Sequence, residues 1–490
     1  MKRLEHLAMI AHDMGLIFHY LALITVIPFA VLVLYREWDL VLPMASVPAS
    51  FFVLGSLMAR VPKRERVPQM SVAIAGVALT WFAVALIGSL PFILGLHMSI
   101  TDSIFESMSG WSTTGFTMMT SLDIAPKTLI FWRSLIQWLG GIGVIAFGIA
   151  MMSGSGIAQF KLYRSEGRQE ALMPNVVETG RRMLATYLSL TTIGVLLLLF
   201  SGIPVWDAVN LVMTAISTGG FSVHEGGMAY YGNPLLELLL VPVMLAGSIP
   251  IQLFFFAAHG KFSKILGDSS LRAVLLFAAA GSFFIVLDLH LFNDLPFLDA
   301  VRQGIFCAVS GLTTTGFQNA NPHLWASLPV IMLTMLIMVG GARGSTSGGI
   351  KVNRIVLGYR GLIWWFRRYF ARSNVIVPFQ YEGKNIPKDI SELELSKNML
   401  IIILYVLTIF VAAILALHLF ATSFPVYEVI FELVSALSNC GLGLGYLTPA
   451  SPIAIKWLFI FLMWFGRLEF VPVIILAMGL ARGFDTPTAT

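Results

Sequence analysis

Long runs of apolar residues are the feature of this 490-residue chain that most limits how it can fold. A helix that spans a bilayer needs about 20 mostly apolar residues. The ten runs cover residues 17–35, 41–58, 72–94, 129–152, 187–200, 235–258, 273–291, 328–340, 399–420 and 453–480. Charged residues make up only 12% of the chain, whereas a soluble domain carries about 25%. These features exclude an ordinary soluble enzyme and a nucleic-acid-binding domain, and they predict an all-α polytopic membrane protein.

Lysine and arginine residues are unevenly distributed among the loops between these runs. Of the 31 in the chain, 24 fall in residues 1–16, 60–71, 153–186, 259–272, 351–398 and 481–490. Loops rich in lysine and arginine stay on the cytoplasmic side of a membrane. We therefore expect these six segments, and with them both ends of the chain, to be cytoplasmic.

Four shorter and more polar segments lie between the runs on the opposite, outer side. They cover residues 102–118, 206–223, 298–319 and 427–447. Each holds a stretch long enough for about three helical turns, and each stretch opens with an acidic residue suited to a helix N-cap. These stretches are 102–108, 207–215, 299–309 and 428–436. A polar string with a glycine follows each stretch, and alignment on Gly115, Gly219, Gly316 and Gly441 predicts a fourfold internal repeat.

The repeated strings predict a pore for a monovalent cation. Irregular backbone at membrane depth is tolerated only where it lines a cavity or is buried in protein. Four strings around one axis can form a ring of backbone carbonyls that replaces the hydration shell of K⁺, with glycine supplying positive φ angles. The predicted K⁺ selectivity filter, which is a metal-binding site for the transported ion, comprises Ser112, Thr113, Thr114, Gly115, Ser217, Thr218, Gly219, Thr313, Thr314, Thr315, Gly316, Asn439, Cys440 and Gly441.

Several motifs resemble those of the Trk/Ktr/HKT superfamily of cation transporters, and most closely those of the membrane subunits of bacterial Trk potassium-uptake systems. The motifs are FESMSGWSTTGF (105–116), AISTGGFSVHE (215–225), SGLTTTGF (310–317), VGGARGSTSGGIKVNR (339–354), NCGLGLG (439–445) and FGRLE (465–469). The resemblance implies an N-terminal transmembrane helix pair, then four M1–P–M2 potassium-channel-like repeats around a central pore. The implied pair covers 1–68 and the repeats cover 69–160, 161–260, 261–372 and 373–490. A homodimer and a cytoplasmic, TrkA-like nucleotide-binding regulatory subunit are also implied.

A glycine-rich segment at 339–350 interrupts the eighth apolar run. The candidate gate residues in it are Gly340, Gly341, Arg343, Gly344, Ser345, Thr346, Gly348 and Gly349. So many glycines disfavour a regular helix, and the segment is either an ordinary helix end or a loop inside the pore. The resemblance implies an intramembrane gating loop. Arg343 would oppose cation flow there unless it is paired or points away.

Arg467, within the last apolar run, is a further candidate for the gate. An ionisable residue inside a membrane segment is costly and indicates a function by default. Arg467 can form a local ion pair between helices or reach the membrane interface, and Glu469 can orient it or face another helix. The resemblance implies a pore arginine just inside the filter that acts as an electrostatic barrier. Cys440 lies where other strings have threonine, and Leu442 lies where the resemblance implies proline, so we expect a looser fourth quadrant of the filter.

These features favour a channel-like K⁺-uptake subunit of a bacterial inner membrane, with Na⁺ and Rb⁺ as further candidate ions. No P-loop motif and no catalytic constellation occurs in the sequence, so we expect neither enzyme activity nor an organic cofactor. The alternative is a Na⁺- or H⁺-coupled symporter working by alternating access, because internal repeats and broken helices occur there too. Acidic residues of the outer segments predict a vestibule that attracts cations. His224, which is also in this region, is given no role.

Overall fold

The computed structural model describes residues 2–61, 70–143, 176–372, 377–381, 384–420 and 423–484. Within these residues the chain is almost entirely helical, with one antiparallel hairpin of Phe379–Tyr381 (β1) and Lys384–Ile386 (β2). The helices are α1 (Lys2–Ile24), α2 (Pro28–Tyr35), α3 (Val41–Ala59), α4 (Met70–Gly88), α5 (Leu90–Leu96), α6 (Ile100–Trp111), α7 (Lys127–Ile142), α8 (Val176–Leu199), α9 (Val205–Ile216), α10 (Pro234–Ser248), α11 (Ile251–Ala258), α12 (Phe262–Gly267), α13 (Ser269–Leu291), α14 (Phe297–Leu312), α15 (Ser327–Val339), α16 (Val352–Tyr369), α17 (Lys388–Leu419), α18 (Val426–Leu437), α19 (Ile453–Arg467) and α20 (Val471–Arg482).

One order of helices occurs four times among the described residues. A long helical segment is followed by a short helix, an extended string and a returning helix. The short helices are α6, α9, α14 and α18, and the returning helices begin with α7, α10, α15 and α19. Helices α1 and α3 pack against each other ahead of the first unit. The predicted all-α membrane class is confirmed.

Among the described residues, six spans are long and apolar enough to cross a membrane, or up to eight if each of two bent helix pairs counts as one span. The six spans are Glu5–Tyr35, Trp38–Ala59, Ser71–Leu96, Glu178–Leu199, Ser269–Leu291 and Ile390–Leu419. Two of the runs seen in the sequence, at 235–258 and 453–480, are each broken into two helices, which bend by 102° and 108°. Proline lies at the start of the second helix in both cases, as Pro250 and Pro472, and proline cannot continue the hydrogen bonding of a preceding helix. Residues 144–152 of the fourth run lie outside the described residues.

The expectation that acidic residues form the N-caps of the short helices is wrong. The N-cap residues are Ser99, Pro204, Pro296 and Pro425. The acidic residues Asp102, Asp207, Asp299 and Glu428 lie inside the first turn instead. A carboxylate there still faces the positive end of the helix dipole, while the proline holds the extended conformation from which the helix starts.

The short helices lie at the centre of the molecule, enclosed by the returning helices. A Cβ at Gly140, Gly247 or Gly466 would meet a backbone oxygen at the end of a short helix. Only glycine permits so close an approach. These three glycines therefore set how tightly α7, α10 and α19 surround the ends of the short helices.

Candidate functional site

The four short helices end in the same hydrogen-bonded turn. At the end of α6, the Thr113 N–H donates to the Gly110 carbonyl (3.0 Å) and the Thr114 N–H donates to the Ser109 carbonyl (2.8 Å). This pair of bonds is a Schellman motif. The ends of α9, α14 and α18 repeat both bonds at 2.8–3.1 Å. The fourth string, despite Cys440, closes the same turn as the other three.

A non-glycine residue turns the chain at each of these ends. The residues are Thr113, Thr218, Thr314 and Asn439, with φ angles of 57°, 55°, 54° and 53°. A β-branched residue with such a φ angle is rare, and the conformation costs about 1–2 kcal/mol. Strained backbone of this kind persists only where its surroundings hold it, and it clusters at functional sites. The four turns, all of them buried, therefore mark one candidate site.

A glycine with positive φ lies two residues after each turn. These glycines are Gly115, Gly220, Gly316 and Gly441, with φ angles of 101°, 68°, 87° and 79°. The alignment made from the sequence was therefore one residue out of register in the second string. Gly219 occupies the position that the other strings fill with Thr114, Thr315 and Cys440. Sequence reasoning missed Gly220, although the Gly-Phe pair that it shares with the first and third strings was a usable signal.

The four strings meet in a closed ring. Each of these glycines abuts the carbonyl oxygen of the residue that precedes the glycine in the next string, with no room for a Cβ. The contacting pairs, in order around the ring, are Gly115–Gly219, Gly220–Thr315, Gly316–Cys440 and Gly441–Thr114. The last pair returns to the first string, so the strings surround a common axis. The C-cap residues Ser112, Ser217 and Thr313 lie one position before the turns, and all the predicted filter residues come together here.

The polar groups of this ring are carbonyl and hydroxyl oxygens. The hydroxyls of Ser112 and Thr114 are 2.7 Å apart, as are those of Thr313 and Thr315. Among the described residues, no group of three or more His, Cys, Asp or Glu side chains is arranged to hold a metal ion. The short helices also direct the negative ends of their dipoles at the ring. The chemistry suits a hard cation bound by neutral oxygens.

Buried polar side chains brace the ring from outside. Gln137 donates from Nε2 to the Gly219 carbonyl (2.8 Å), and its Oε1 accepts from the Phe221 N–H (3.1 Å). Glu106 and Arg133 form a buried ion pair at 2.7 Å, and the Arg133 guanidinium lies 4.0 Å from the centre of the Phe221 ring. Sequence reasoning missed the roles of Gln137 and Arg133, although polar residues within an apolar run are a signal in themselves.

Arg467 lies directly against the ring, beside the turn that follows α6. Its guanidinium donates to the Thr113 hydroxyl at 3.3 Å and to the Thr346 carbonyl at 2.9 Å. It also donates to the carbonyls of Gly140 and Gly141, the second at 3.3 Å. The arginine thereby joins α19, α7, the first string and the glycine-rich segment.

Of the two alternatives left open for Glu469, the structure shows a contact with another helix. The Glu469 carboxylate pairs with Arg354 of α16. A bend separates Arg467 from Glu469, because Glu469 and Phe470 have φ angles of 54° and 69°. The two side chains therefore serve different contacts.

The glycine-rich segment forms an irregular loop at 340–351, between α15 and α16, and this loop packs against the ends of the short helices. The Gly348 N–H donates to the Thr314 hydroxyl (2.8 Å), and the Thr218 hydroxyl donates to the Thr346 hydroxyl (3.3 Å). Gly348 also lies so close to the Ser438 carbonyl that a Cβ would not fit. Together with the arginine described above, this loop contacts the ends of all four short helices.

The same loop is held at the break between α10 and α11. The Ala342 N–H donates to the Ser248 carbonyl (2.9 Å), and the Ile251 N–H donates to the Gly344 carbonyl (3.3 Å). The Arg343 side chain is exposed, whereas Thr346 and Gly348 are buried. Arg343 therefore differs from these two loop residues, which are packed against the ring. The other predicted gate residues in this loop are Gly340, Gly341, Ser345 and Gly349.

The acidic residues near the starts of the short helices have partners. The pairs are Asp102–Lys456 (2.5 Å), Asp207–His224 (3.4 Å) and Glu428–His323 (2.8 Å). His224 also contacts Asp123 at 2.6 Å, so it has a structural role that the sequence did not indicate. These three carboxylates join neighbouring elements of the structure.

Known proteins share this architecture. Residues 44–482 match the TrkH family of cation transport proteins. MJ1485 of Methanocaldococcus jannaschii, an uncharacterised cation transporter, is 31% identical over 95% of this chain and 94% of its own length. The Trk system potassium uptake protein TrkH of Vibrio parahaemolyticus is 30% identical over 94% of this chain and 96% of its own. The crystal structure of the potassium transporter TrkH from that organism has a TM-score of 0.83 at 26% identity, covering 96% of this chain and 98% of the other. The chain therefore belongs to the TrkH family, as a multi-pass membrane transport protein.

Proposed function

We propose that this chain conducts K⁺ across a bacterial inner membrane in a channel-like manner, through the ring of four strings. The observation that carries the proposal is the closed ring, in which four equivalent glycines abut the carbonyls of their neighbours. Relatives in Vibrio parahaemolyticus and Halomonas elongata are potassium uptake proteins. An inside-negative potential then drives uptake with about 2.3 kcal/mol per 100 mV for each ion.

Selection of K⁺ would rest on the neutral oxygens of the ring. Carbonyl and hydroxyl oxygens replace the water that surrounds a K⁺ ion, and the four helix dipoles add negative potential without a fixed anion. A ring of carboxylates would bind divalent cations more strongly, and none of the ring residues is acidic. The predicted filter residues, with Gly220 added, form the proposed K⁺ site. Na⁺ and Rb⁺ would be its competitors.

The loop at 340–351 and Arg467 would form the gate of this pathway. Two contacts support this proposal. The loop contacts the ends of three short helices, and Arg467 contacts the end of the fourth. A guanidinium at this place repels a cation that leaves the ring inward. To open the pathway, the loop would have to leave these contacts. Gly340 and Gly349 permit such a rearrangement, and they have φ angles of 70° and 76°.

The assembly would contain two copies of this chain and a cytoplasmic, TrkA-like nucleotide-binding subunit. Support comes from the family, because the relatives carry the name of the Trk system. The excess of lysine and arginine in six loops supports a topology with both chain ends in the cytoplasm. The four units would follow the boundaries 69–160, 161–260, 261–372 and 373–490, after the pair at 1–68.

A second candidate function is a Na⁺- or H⁺-coupled symporter that works by alternating access. The observation in its favour is the pair of bent helices, α10 with α11 and α19 with α20, because broken helices bind ions in such transporters. The two functions differ in one respect. A symporter needs a gradient of its coupling ion, and a channel-like subunit needs only the K⁺ gradient.

The experiment is uptake of ⁸⁶Rb⁺ or K⁺ into proteoliposomes that hold the purified protein, with a K⁺ gradient and no other ion gradient. Gly316→Ser is measured in parallel, because its Cβ would collide with the Cys440 carbonyl. Gly202→Ser is the matched control: Gly202 also has positive φ (80°), but nothing lies within 4 Å of its Cβ position. We expect uptake by the wild type and the control, and a weaker preference for K⁺ over Na⁺ in Gly316→Ser.

Two results would contradict the channel-like function. Uptake that starts only after a Na⁺ or H⁺ gradient is imposed would favour the symporter. An equal preference for K⁺ over Na⁺ in Gly316→Ser and Gly202→Ser would show that the glycine ring does not determine ion selectivity. The assay is repeated with the co-purified regulatory subunit and its nucleotide, so that a closed gate is not mistaken for lack of transport.

A further inference from the structure

The C-terminal end of α16 carries an unusual group of exposed side chains. Residues 365–370 read WFRRYF and are all exposed. The four aromatic residues among them are Trp365 (53% exposed), Phe366 (47%), Tyr369 (71%) and Phe370 (80%). Four hydrated aromatic side chains in about one and a half helical turns are unfavourable in water, and a patch of this kind marks an interaction site. We call residues 365–372 the aromatic–arginine patch.

The direction of α16 places this patch beside the membrane rather than across it. The Arg354 carbonyl accepts from Asn398 Nδ2 (2.9 Å), and Arg368 pairs with Glu392 of α17 (3.2 Å). Between these contacts α16 advances roughly 21 Å but α17 only roughly 9 Å. Helix α16 therefore crosses α17 at a steep angle. The apolar span of α17 starts at Ile390, and its exposed apolar side chains begin with Ile390 and Leu393, so the crossing lies at the N-terminal end of that span.

The patch carries positive charge that the protein does not neutralise. Residues 351–372 contain six lysines and arginines and no acidic residue. Within the described residues, Arg368 has its partner in Glu392, but Arg367 and Arg372 have no ion pair, and both are exposed. The nearby Glu394 is already paired with Lys397 at 3.3 Å. Two arginines are therefore free to bind an anion.

We propose that the aromatic–arginine patch binds anionic phospholipid at the surface of the membrane. Aromatic rings are favoured at the depth of the lipid headgroups, and a helix with aromatic and arginine side chains lies in that plane. The guanidinium groups of Arg367 and Arg372 would bind lipid phosphates, with which arginine forms paired hydrogen bonds. Charge complementarity thus selects an anionic lipid surface as the occupant. Since α16 starts directly after the 340–351 loop, bound lipid would anchor the far end of that loop.

The first test measures the depth of the patch in the full-length protein in vesicles of POPC and POPG at 3:1. A nitroxide label is placed by Tyr369→Cys, because both native cysteines are buried. Relaxation by oxygen, which concentrates in lipid, is compared with relaxation by a water-soluble nickel chelate. Met399→Cys, exposed on α17 close to the crossing, is the lipid control, and Lys261→Cys, exposed between α11 and α12, is the aqueous control. We expect the label at Tyr369→Cys to respond to oxygen as Met399→Cys does.

Each other outcome of this test would overturn the proposal. A label that responds mainly to the nickel chelate would be in water. A label that responds to neither reagent would be covered by protein, either a second copy of this chain or a soluble partner. Measurements on the purified chain alone and with its regulatory subunit would tell these two apart.

The second test measures lipid selectivity by native mass spectrometry of the purified protein with added POPG or POPC. Arg367→Gln with Arg372→Gln is compared with Arg36→Gln with Arg482→Gln, which removes the same charge elsewhere on the surface. Each basic residue near an anionic membrane contributes about a fivefold effect. We expect the patch variant to bind POPG about 25-fold more weakly, with POPC binding unchanged. An equal loss in both double variants, or no preference for POPG in the wild type, would refute lipid binding at the patch.

Discussion

Replacement of Arg467 by alanine tests the proposed electrostatic barrier. The guanidinium is 3.3 Å from the Thr113 hydroxyl, so a cation held by that hydroxyl would be about 6 Å from the charge. At this separation the repulsion is about 3 kcal/mol for an effective dielectric constant of about 20, and about 0.7 kcal/mol in bulk water. Removing the charge should therefore raise K⁺ flux by about 3- to 100-fold. The assay is initial ⁸⁶Rb⁺ influx into proteoliposomes at matched protein content.

Arg467→Lys separates the charge of this residue from its hydrogen bonds. Lysine keeps the charge but cannot donate to four oxygens in the planar geometry of a guanidinium. We expect Arg467→Lys to keep most of the barrier and Arg467→Ala to lose it. If both variants conduct equally fast, the loop contacts and not the charge restrict flow. If Arg467→Ala conducts no faster than the wild type while its melting temperature is unchanged, the barrier argument is refuted.

Three further changes test the packing around the ring, each by thermal unfolding in detergent. Gln137→Ala removes two hydrogen bonds to the second string and should lower the free energy of unfolding by about 1–3 kcal/mol. It should also reduce the preference for K⁺ in competition with Na⁺. A variant that keeps both its stability and its K⁺ preference would rule out a bracing role for Gln137. Arg133→Met leaves Glu106 buried without its partner and should cost about 3–5 kcal/mol, and adding Glu106→Gln should restore part of this. Gly466→Ala, which lacks space for a Cβ, should destabilise by about 1–3 kcal/mol, whereas Gly267→Ala, with open space around it, should be neutral.

The short helices and their strings were predictable because their signals are local. Hydropathy marks the spans, and each string combines threonine or serine with glycine just after a short amphipathic stretch. The register of the second string was not predictable in the same way, since Gly219 and Gly220 both satisfy the motif. The choice between them depends on which glycine adopts positive φ and abuts the next string, and only the folded ring shows that this is Gly220.

The partners of the charged residues were also beyond a sequence argument. Glu469 is two residues from Arg467, yet it pairs with Arg354, which is more than a hundred positions away in the chain. The sequence left open whether Glu469 orients Arg467 or faces another helix, because such a choice depends on how the helices pack. In the same way, Gln137 gave no hint of its contact with a string that follows it by 82 residues.

The membrane class of this chain and its four similar segments follow from the amino-acid sequence alone, because apolar length and turn chemistry are properties of short segments. The folded molecule adds that the four strings close into a ring, that the loop at 340–351 contacts this ring, and that Arg467 lies against both. These contacts join residues from different units, and each depends on the angles at which helices cross and on glycines that let backbones touch. Such geometry is the result of packing the whole molecule, and no single segment encodes it.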